Sequence, residues 1–191
     1  SQVFGVKSTE VDAEMRRTIK AMSYGLAYGL SSFGLSQTLD IDPAAAAELM
    51  SKYFERFGGI RDYLKTVVVA AREKGYTETV LGRRRYLPDL NHENRQRRDI
   101  AERAALNAPI QGSAADIIKI AMLNVSKEIN DNQLKSRLLL QVHDELILEV
   151  AQGEKDKLEE IVKTQMANAY QLRVPLDVNI GFGLSWDLAA H

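Results

Sequence analysis

The sequence predicts an α+β protein, in which a predominantly helical first part is followed by a small antiparallel sheet with flanking helices. Two observations lead to this prediction. Apolar residues recur at helical spacing through most of 12–74 and again within 94–129 and 154–170. Short β-prone runs bounded by turn residues lie instead at 76–87, 137–150 and 176–182. The strands thus concentrate toward the end of the chain, which is typical of an α+β architecture.

The first part divides at clear start and stop signals. Asp12 suits the N-cap of a helix whose end is loosened by Gly25 and Gly29. Proline in Asp42-Pro43 favours a helix start, and Gly75 favours a stop. The predicted elements are helices over 12–29, 32–39, 43–57 and 60–74, with a break at 58–59, and a hairpin of strands over 76–80 and 84–87.

The second part begins with a polar, arginine-rich helix predicted over 94–106 and interrupted at 107–109. Ser113 and Asp116 then resemble a capping box that opens a further helix. Beyond it we expect strands over 137–142 and 145–150, a helix over 154–170 and a last strand over 176–182 after Pro175. We place the boundary between two domains at 110, which gives 1–110 and 111–191.

Composition excludes several classes of site. The chain has 191 residues, a net charge of −1 and no cysteine, so disulfides, thiolate metal sites and cysteine nucleophiles are ruled out. Binding to nucleic acid would have to come from local basic patches. No apolar run approaches the length of a membrane span and no leader opens the chain, so we expect a soluble cytoplasmic protein without a membrane partner. The chain opens without methionine, which indicates a fragment.

The most informative stretch is RRTIKAMSYGLAYG, residues 16–29. Arg16, Lys20, Tyr24 and Tyr28 recur every four residues and form one stripe on a helix. Arg16 and Tyr24 are separated by about 12 Å along the axis, comparable to the reach from the triphosphate of a nucleotide to its base. Cations bind phosphates and aromatic rings stack on bases. The stripe also fits the solvated face of an amphipathic helix, and spacing alone leaves both interpretations open.

The second stretch is QVHDE, residues 141–145. It places His143, Asp144 and Glu145 where two apolar strands meet. Mg²⁺ takes one or two carboxylates in such sites, which makes Asp144 a candidate ligand, with Glu145 as a further ligand or an outer partner and His143 as a donor to phosphate. A polar hairpin tip in water is the alternative. Two-metal phosphoryl transfer would need another acidic residue from elsewhere.

Two further groups could contact nucleic acid. Arginines cluster at 83–85 and again at 95, 97, 98 and 103, and guanidinium groups suit a phosphate backbone. Acidic neighbours leave a salt-bridged surface as the alternative. Asn107 and Gln111 are amides at the predicted helix break, where they would either reach a base or cap a helix.

These sequence motifs together resemble those of bacterial family A DNA polymerases, the DNA polymerase I group. Residues 16–29 resemble the nucleotide-binding helix of that family's fingers, and QVHDE resembles its palm hairpin. GRRRYLPDL, NAPIQGSAADIIK and GFGLSWD also occur in the family's order, so the resemblance spans Val3 to Asp187. It implies helical fingers followed by part of the palm, and template-directed addition of dNTPs to a primer 3′-hydroxyl with two Mg²⁺ ions on primer–template DNA.

The resemblance also implies a role for each matching residue. The catalytic set would be Asp144, Lys20, Arg16 and His143. Arg16 and Lys20 would hold the triphosphate, Tyr24 would lie against the sugar and base, and Tyr28 would stack at the template position. Asp144 would bind magnesium, with Glu145 close by. Contacts to DNA would come from Arg17, Arg84, Arg85, Arg103, Asn107, Gln111 and His143.

In this family, the first metal-binding carboxylate of the palm belongs to a motif like DYSQIELR. No such motif occurs in this sequence. We therefore expect a fragment that is inactive alone and that works with the remaining palm and the thumb, in a bacterial, nucleoid-associated setting. Two alternatives stand beside this hypothesis. One is a non-catalytic module that binds nucleotide or nucleic acid. The other is a small magnesium-dependent nuclease using Asp144 and Glu145, although adjacent strand residues point to opposite faces.

Overall fold

A computed structural model describes residues 1–189 and confirms the α+β class. The helices are α1 (Ala13–Ala27), α2 (Ser32–Leu39), α3 (Pro43–Arg56), α4 (Gly58–Lys74), α5 (Arg95–Asp131), α6 (Lys155–Ala167) and α7 (Trp186–Ala189), with 3-10 turns at Ser8–Glu10 and Pro88–Asn91. The strands are β1 (Tyr76–Glu78), β2 (Arg84–Tyr86), β3 (Arg137–Val142) and β4 (Glu145–Glu149), and they form two separate antiparallel pairs. The chain folds as two compact units, Ser1–Gln111 and Gly112–His191.

Two helices of the first unit, α1 and α3, begin at the predicted caps. The Asp12 carboxylate accepts a hydrogen bond from the Met15 amide at 2.7 Å, and the Asp42 carboxylate accepts one from Ala44 at 2.7 Å. Such caps satisfy amides that have no partner inside the helix. The first core cluster packs α1, α2 and α3 together and consists of Met22, Leu26, Leu35, Ala46 and Tyr53. The break predicted at 58–59 lies instead at Phe57, because α3 ends at Arg56 and Gly58 already begins α4.

The first hairpin forms where it was predicted, with shorter strands. Gly75 ends α4 with a φ of 78°, a left-handed conformation that glycine adopts without steric cost. In β1 and β2, Tyr76 pairs with Tyr86 and Glu78 pairs with Arg84. A second core cluster joins α4, the residues that follow β2, and α5, and it consists of Ala71, Leu87, Leu90, Ala101 and Ala105.

The predicted break at 107–109 is wrong. Helix α5 runs without interruption from Arg95 to Asp131 and contains Pro109 in its interior. Proline lacks an amide hydrogen and crowds the carbonyl four residues earlier, which costs about 3 kcal/mol in a helix. Small and apolar side chains are nevertheless buried on both sides of it, from Ala105 to Val125. Packing of such a face outweighs local propensity, so the helix continues and Ser113 and Asp116 lie inside it.

The second hairpin contains an irregularity that the sequence did not reveal. Leu138 pairs with Leu148 but Leu140 pairs with Ile147, so Leu139 is an extra residue in β3. Without that bulge the register would leave one residue to close the turn. With it, Val142 pairs with Glu145, and His143 and Asp144 form a two-residue turn. Inward side chains of β4 and α6 join α5 in a third core cluster around Val125, Ile129, Leu158 and Val162.

The predicted last strand over 176–182 is wrong, since these residues form no strand. A strand requires a neighbouring edge for its backbone hydrogen bonds, and within residues 1–189 the second sheet contains β3 and β4 alone. Side chains hold the segment instead. Ile180 packs against the third core cluster, and the Lys155 ammonium lies 4.3 Å from the centre of the Phe182 ring.

The carboxylate of Glu154 stabilises the base of the second hairpin through hydrogen bonds. Glu154 accepts hydrogen bonds from the Lys135 amide at 2.9 Å, the Ser136 amide at 2.9 Å and the Ser136 hydroxyl at 2.7 Å. The Ser136 hydroxyl in turn accepts one from the Ala151 amide at 3.0 Å. The hydrogen bonds from Lys135 and then Ser136 favour the ionised form and lower the pKa of Glu154 below its ordinary value.

Replacing Glu154 with glutamine is therefore expected to lower the melting temperature by a few degrees at pH 7. Because the folded-state pKa is depressed, this stabilisation is present above the unfolded-state pKa and disappears as the pH falls through the folded-state value. The deficit of the variant should shrink correspondingly in acid. Thermal melts of both proteins from pH 7 to pH 3 measure it, with Glu160→Gln on α6 as the control. A deficit that stays constant with pH would contradict the role of the carboxylate charge.

Candidate functional site

Helix α1 presents the predicted stripe to the outside. Arg16 and Lys20 are exposed, and the Tyr24 and Tyr28 side chains are 58% and 45% exposed. On the other side of the helix, Met22 is completely buried, which anchors it to the first core cluster. None of the four stripe residues belongs to the first core cluster. The two cations and the two rings of the stripe are therefore exposed to solvent at the predicted spacing. Arg17 is exposed beside the stripe.

The end of this helix lies against α5. The Gln111 side-chain amide donates a hydrogen bond to the Tyr28 hydroxyl at 2.5 Å. Arg103, Asn107 and Gln111 recur every four residues and therefore share one face of α5. Asn107 and Gln111 thus lie within a helix and not at the predicted helix break. The structure thus brings together Tyr28 and Gln111, two residues that the resemblance assigns to the template and the DNA.

Gly29 permits this contact, a role that was not predicted from the sequence. Its φ is 69°, and a Cβ atom at this position would lie 2.9 Å from Arg103 Cγ and 3.1 Å from Leu106 Cδ1. A larger residue would be strained and would also displace α5 side chains. The available signal was a tyrosine–glycine pair directly after a helix that carries a functional stripe.

The second hairpin presents its turn to solvent, and His143, Asp144 and Glu145 are all exposed. His143 has a φ of 52°, a conformation that few residues other than glycine adopt and that is found more often at functional sites. The Gln141 side-chain amide donates a hydrogen bond to the His143 carbonyl at 2.5 Å, which holds the turn. This separate role of Gln141 was not predicted from the sequence.

The chemistry of the turn suits a hard cation. Carboxylate oxygens are the ligands that Mg²⁺ prefers, and this ion needs only one or two of them because water and phosphate complete its shell. Asp144 and Glu145 meet that description. Over residues 1–189, no three acidic or histidine side chains lie close enough together to form a complete protein site. The turn can therefore supply part of a magnesium site.

The predicted arginines on the first hairpin differ in their surroundings. The Arg84 side chain forms an ion pair with Glu78 at 2.9 Å and lies 4.5 Å from the centre of the Tyr76 ring. The hydrogen bond to Glu78 raises the pKa of Arg84. Arg85 is exposed and lies on the opposite face of β2, because successive strand residues alternate. No hydrogen bond or ion pair in the described chain joins either residue to the Tyr28–Gln111 pair.

Within residues 1–189, no helix combines the length and the apolar character that a membrane-spanning segment requires.

Comparisons with known proteins agree with one another. The family model described as DNA polymerase family A matches residues 1–188. The DNA polymerase I of Mycobacterium tuberculosis is 63% identical over 191 residues, which is all of this chain and 21% of the relative. The DNA polymerase I of Caldicellulosiruptor bescii is 47% identical over 186 residues, 97% of this chain and 22% of the relative. The chain thus spans about a fifth of the length of these relatives.

A solved structure, the POL domain of Pol1 from M. smegmatis in complex with DNA primer-template and dNTP, superposes with a TM-score of 0.97 at 62% identity. The match covers all of this chain and 34% of that one.

Proposed function

The chain belongs to DNA polymerase family A, and from that membership we propose that it is part of a template-directed DNA polymerase that adds dNTPs to a primer 3′-hydroxyl. Residues 1–110 are mostly fingers, and 111–191 are the C-terminal part of the palm. Its partners are dNTPs, primer–template DNA and the rest of the polymerase. The M. smegmatis relative, solved with primer-template and dNTP, supports these partners. Because it works on bacterial DNA, the protein acts in the cytoplasm, at the nucleoid.

The observation that supports this function best is the exposed stripe on α1. Arg16 and Lys20 bind the triphosphate of the incoming dNTP, since guanidinium and ammonium groups donate charge-assisted hydrogen bonds to phosphate oxygens. Tyr24 lies against the sugar and base, and Tyr28 stacks at the template position. Both rings are exposed enough to do so. During the reaction the two cations offset the negative charge that develops on the leaving pyrophosphate.

The turn of the second hairpin contributes the other chemical group. Asp144 would hold magnesium, with Glu145 as a further ligand or an outer partner, and the ion would supply charge stabilisation at the attacked phosphate and lower the pKa of the primer hydroxyl. His143 donates a hydrogen bond to a phosphate oxygen near the primer end. Gln141 holds the His143 carbonyl and thereby fixes the turn that presents Asp144.

The remaining predicted residues contact DNA. Arg103, Asn107 and Gln111 lie along one face of α5 and reach the primer–template near the new base pair. Arg17 and Arg85 are exposed cations that bind phosphate. Arg84 serves less directly, because Glu78 already compensates its charge.

The 191-residue chain is expected to extend no primer by itself, because Asp144 provides only part of a two-metal site and loss of one member of a catalytic unit costs several orders of magnitude. Single-nucleotide primer extension in Mg²⁺ measures this, with the full-length polymerase as the positive control. Template-dependent extension by the full-length protein supports the proposed function, and its absence would overturn that function. Extension by the 191 residues that disappears in Asp144→Ala would show that they contain a second metal carboxylate.

A non-catalytic binding module is the second candidate. The incomplete metal site favours it for these residues taken alone. Titration of the 191-residue chain with dNTP and with primer–template distinguishes the two candidates when it is combined with the extension assay. Saturable binding without extension by the full-length protein would favour the module.

A further inference from the structure

The first hairpin has an outer face made of aromatic and charged side chains. Because cross-strand partners share a face, Tyr76, Glu78, Arg84 and Tyr86 project together. The Tyr76 and Tyr86 rings meet edge to face with their centres 5.6 Å apart, and the Arg84 guanidinium covers the Tyr76 ring. These contacts fix the orientation of both rings. We name these four residues the hairpin face.

Burial in the core does not account for the position of Tyr86. Its side chain is 68% exposed, more than that of Tyr24 on the nucleotide stripe. The hairpin is held from its other side, where Thr77 is buried, and by Leu87 in the second core cluster. Because the Tyr86 ring is held in one orientation and is largely exposed, a planar group of a binding partner can stack on it.

The charge around the hairpin face indicates the kind of partner. Residues 76–86 contain three arginines and one glutamate, so this short segment carries a net charge of +2 in a chain whose total is −1. A polyanion is attracted to such a segment, whereas a second copy of the same hairpin is repelled. Duplex DNA offers phosphates but keeps the faces of its bases stacked. Single-stranded DNA offers both phosphates and free base faces, which suits a tyrosine beside arginines.

We propose that the hairpin face binds the unpaired template strand ahead of the site of synthesis, with Tyr86 stacking on one base and the net positive charge of residues 76–86 attracting the phosphates of the strand. Arg84 is a positioning residue here: it is held by Glu78 and orients the Tyr76 ring against which Tyr86 rests. This inference rests on the proposed polymerase function, since it takes the single strand to be the template.

The test compares two primer–templates in the full-length polymerase, one with a single unpaired template nucleotide and one with an overhang of about ten nucleotides, in 0.1 M salt. Tyr86→Ala is expected to weaken binding of the long overhang at least about fivefold, the range of one stacked base. Affinity for the short overhang and its single-turnover rate should stay unchanged. Tyr86→Phe keeps the ring and should bind like the unaltered protein.

Several outcomes would overturn the inference. These are equal losses on both substrates, no loss on either, or a loss in Tyr86→Phe as large as in Tyr86→Ala. If Tyr86→Ala fails to fold, photo-crosslinking of the unaltered polymerase to templates with 5-iodouracil in the overhang decides, because the crosslinked peptide must contain Tyr86. If the unaltered polymerase and Tyr86→Ala bind and extend both substrates equally well, this inference is refuted and the proposed function stands. Failure of the unaltered protein to extend either substrate refutes the proposed function.

Discussion

Replacing Asp144 with asparagine in the full-length polymerase is expected to reduce the rate of nucleotide addition by about a thousandfold or more, as is typical for loss of a member of a catalytic unit. Asparagine has nearly the same shape, so the two-residue turn should persist. The change removes the negative charge that holds magnesium, and a neutral amide is a much weaker ligand. Single-turnover quench-flow at saturating dNTP measures the rate.

Two comparisons isolate the effect of Asp144. Primer–template affinity, measured by fluorescence anisotropy, should remain within about threefold of the unaltered protein, because a turn carboxylate adds no attraction to a phosphate backbone. Glu145→Gln on the same hairpin should lose less activity, since Glu145 begins β4 and pairs with Val142. Asp144→Asn with more than a tenth of the original rate would show that the metal is held elsewhere. A larger loss in Glu145→Gln would exchange the roles of the two carboxylates.

The parts of the fold that were predicted correctly depend on local physics. Asp12 and Asp42 cap helices through amides two or three residues away, so the sequence contains everything needed to find these starts. The stripe on α1 follows from helical spacing alone, and the burial of Met22 behind it was equally predictable. The turn at His143 was also found from its two flanking apolar strands.

The errors and omissions depend on distant residues. Pro109 argued for a break, yet side chains packed along α5 on both sides of it keep the helix continuous. The hydrogen bond between Tyr28 and Gln111 joins positions 83 apart, and no spacing rule predicts it. The bulge at Leu139 follows from the registry between two strands, which becomes visible only when both are paired. Residues 176–182 have the composition of a strand, but composition does not supply a neighbouring edge.

Replacing Lys20 with alanine in the full-length polymerase is expected to lower kcat/KM for the incoming dNTP by about 10²–10³, the usual effect of removing one group that stabilises developing charge. Lys20 is exposed one helical turn from Arg16, so the variant keeps one cation at the triphosphate end and loses the other. The remaining guanidinium should retain part of the binding, and the deficit should appear in kcat as well as in KM. Steady-state incorporation of a single nucleotide separates the two constants.

Primer–template affinity distinguishes a nucleotide site from a general basic surface. If Lys20 serves the triphosphate, the Kd for DNA should change by less than about threefold. If Lys20 contacted the DNA backbone instead, its loss would weaken DNA binding and alter the slope of the salt dependence of that binding by about one. Lys52→Ala is the matched control, since Lys52 is an exposed lysine of the same unit whose ammonium lies 2.8 Å from Glu48. Lys20→Arg should restore part of the activity by keeping the charge. Equal losses in kcat/KM for the dNTP and in affinity for DNA in Lys20→Ala would instead make the α1 stripe a DNA-binding surface. Arg16 would then have to hold the triphosphate without Lys20.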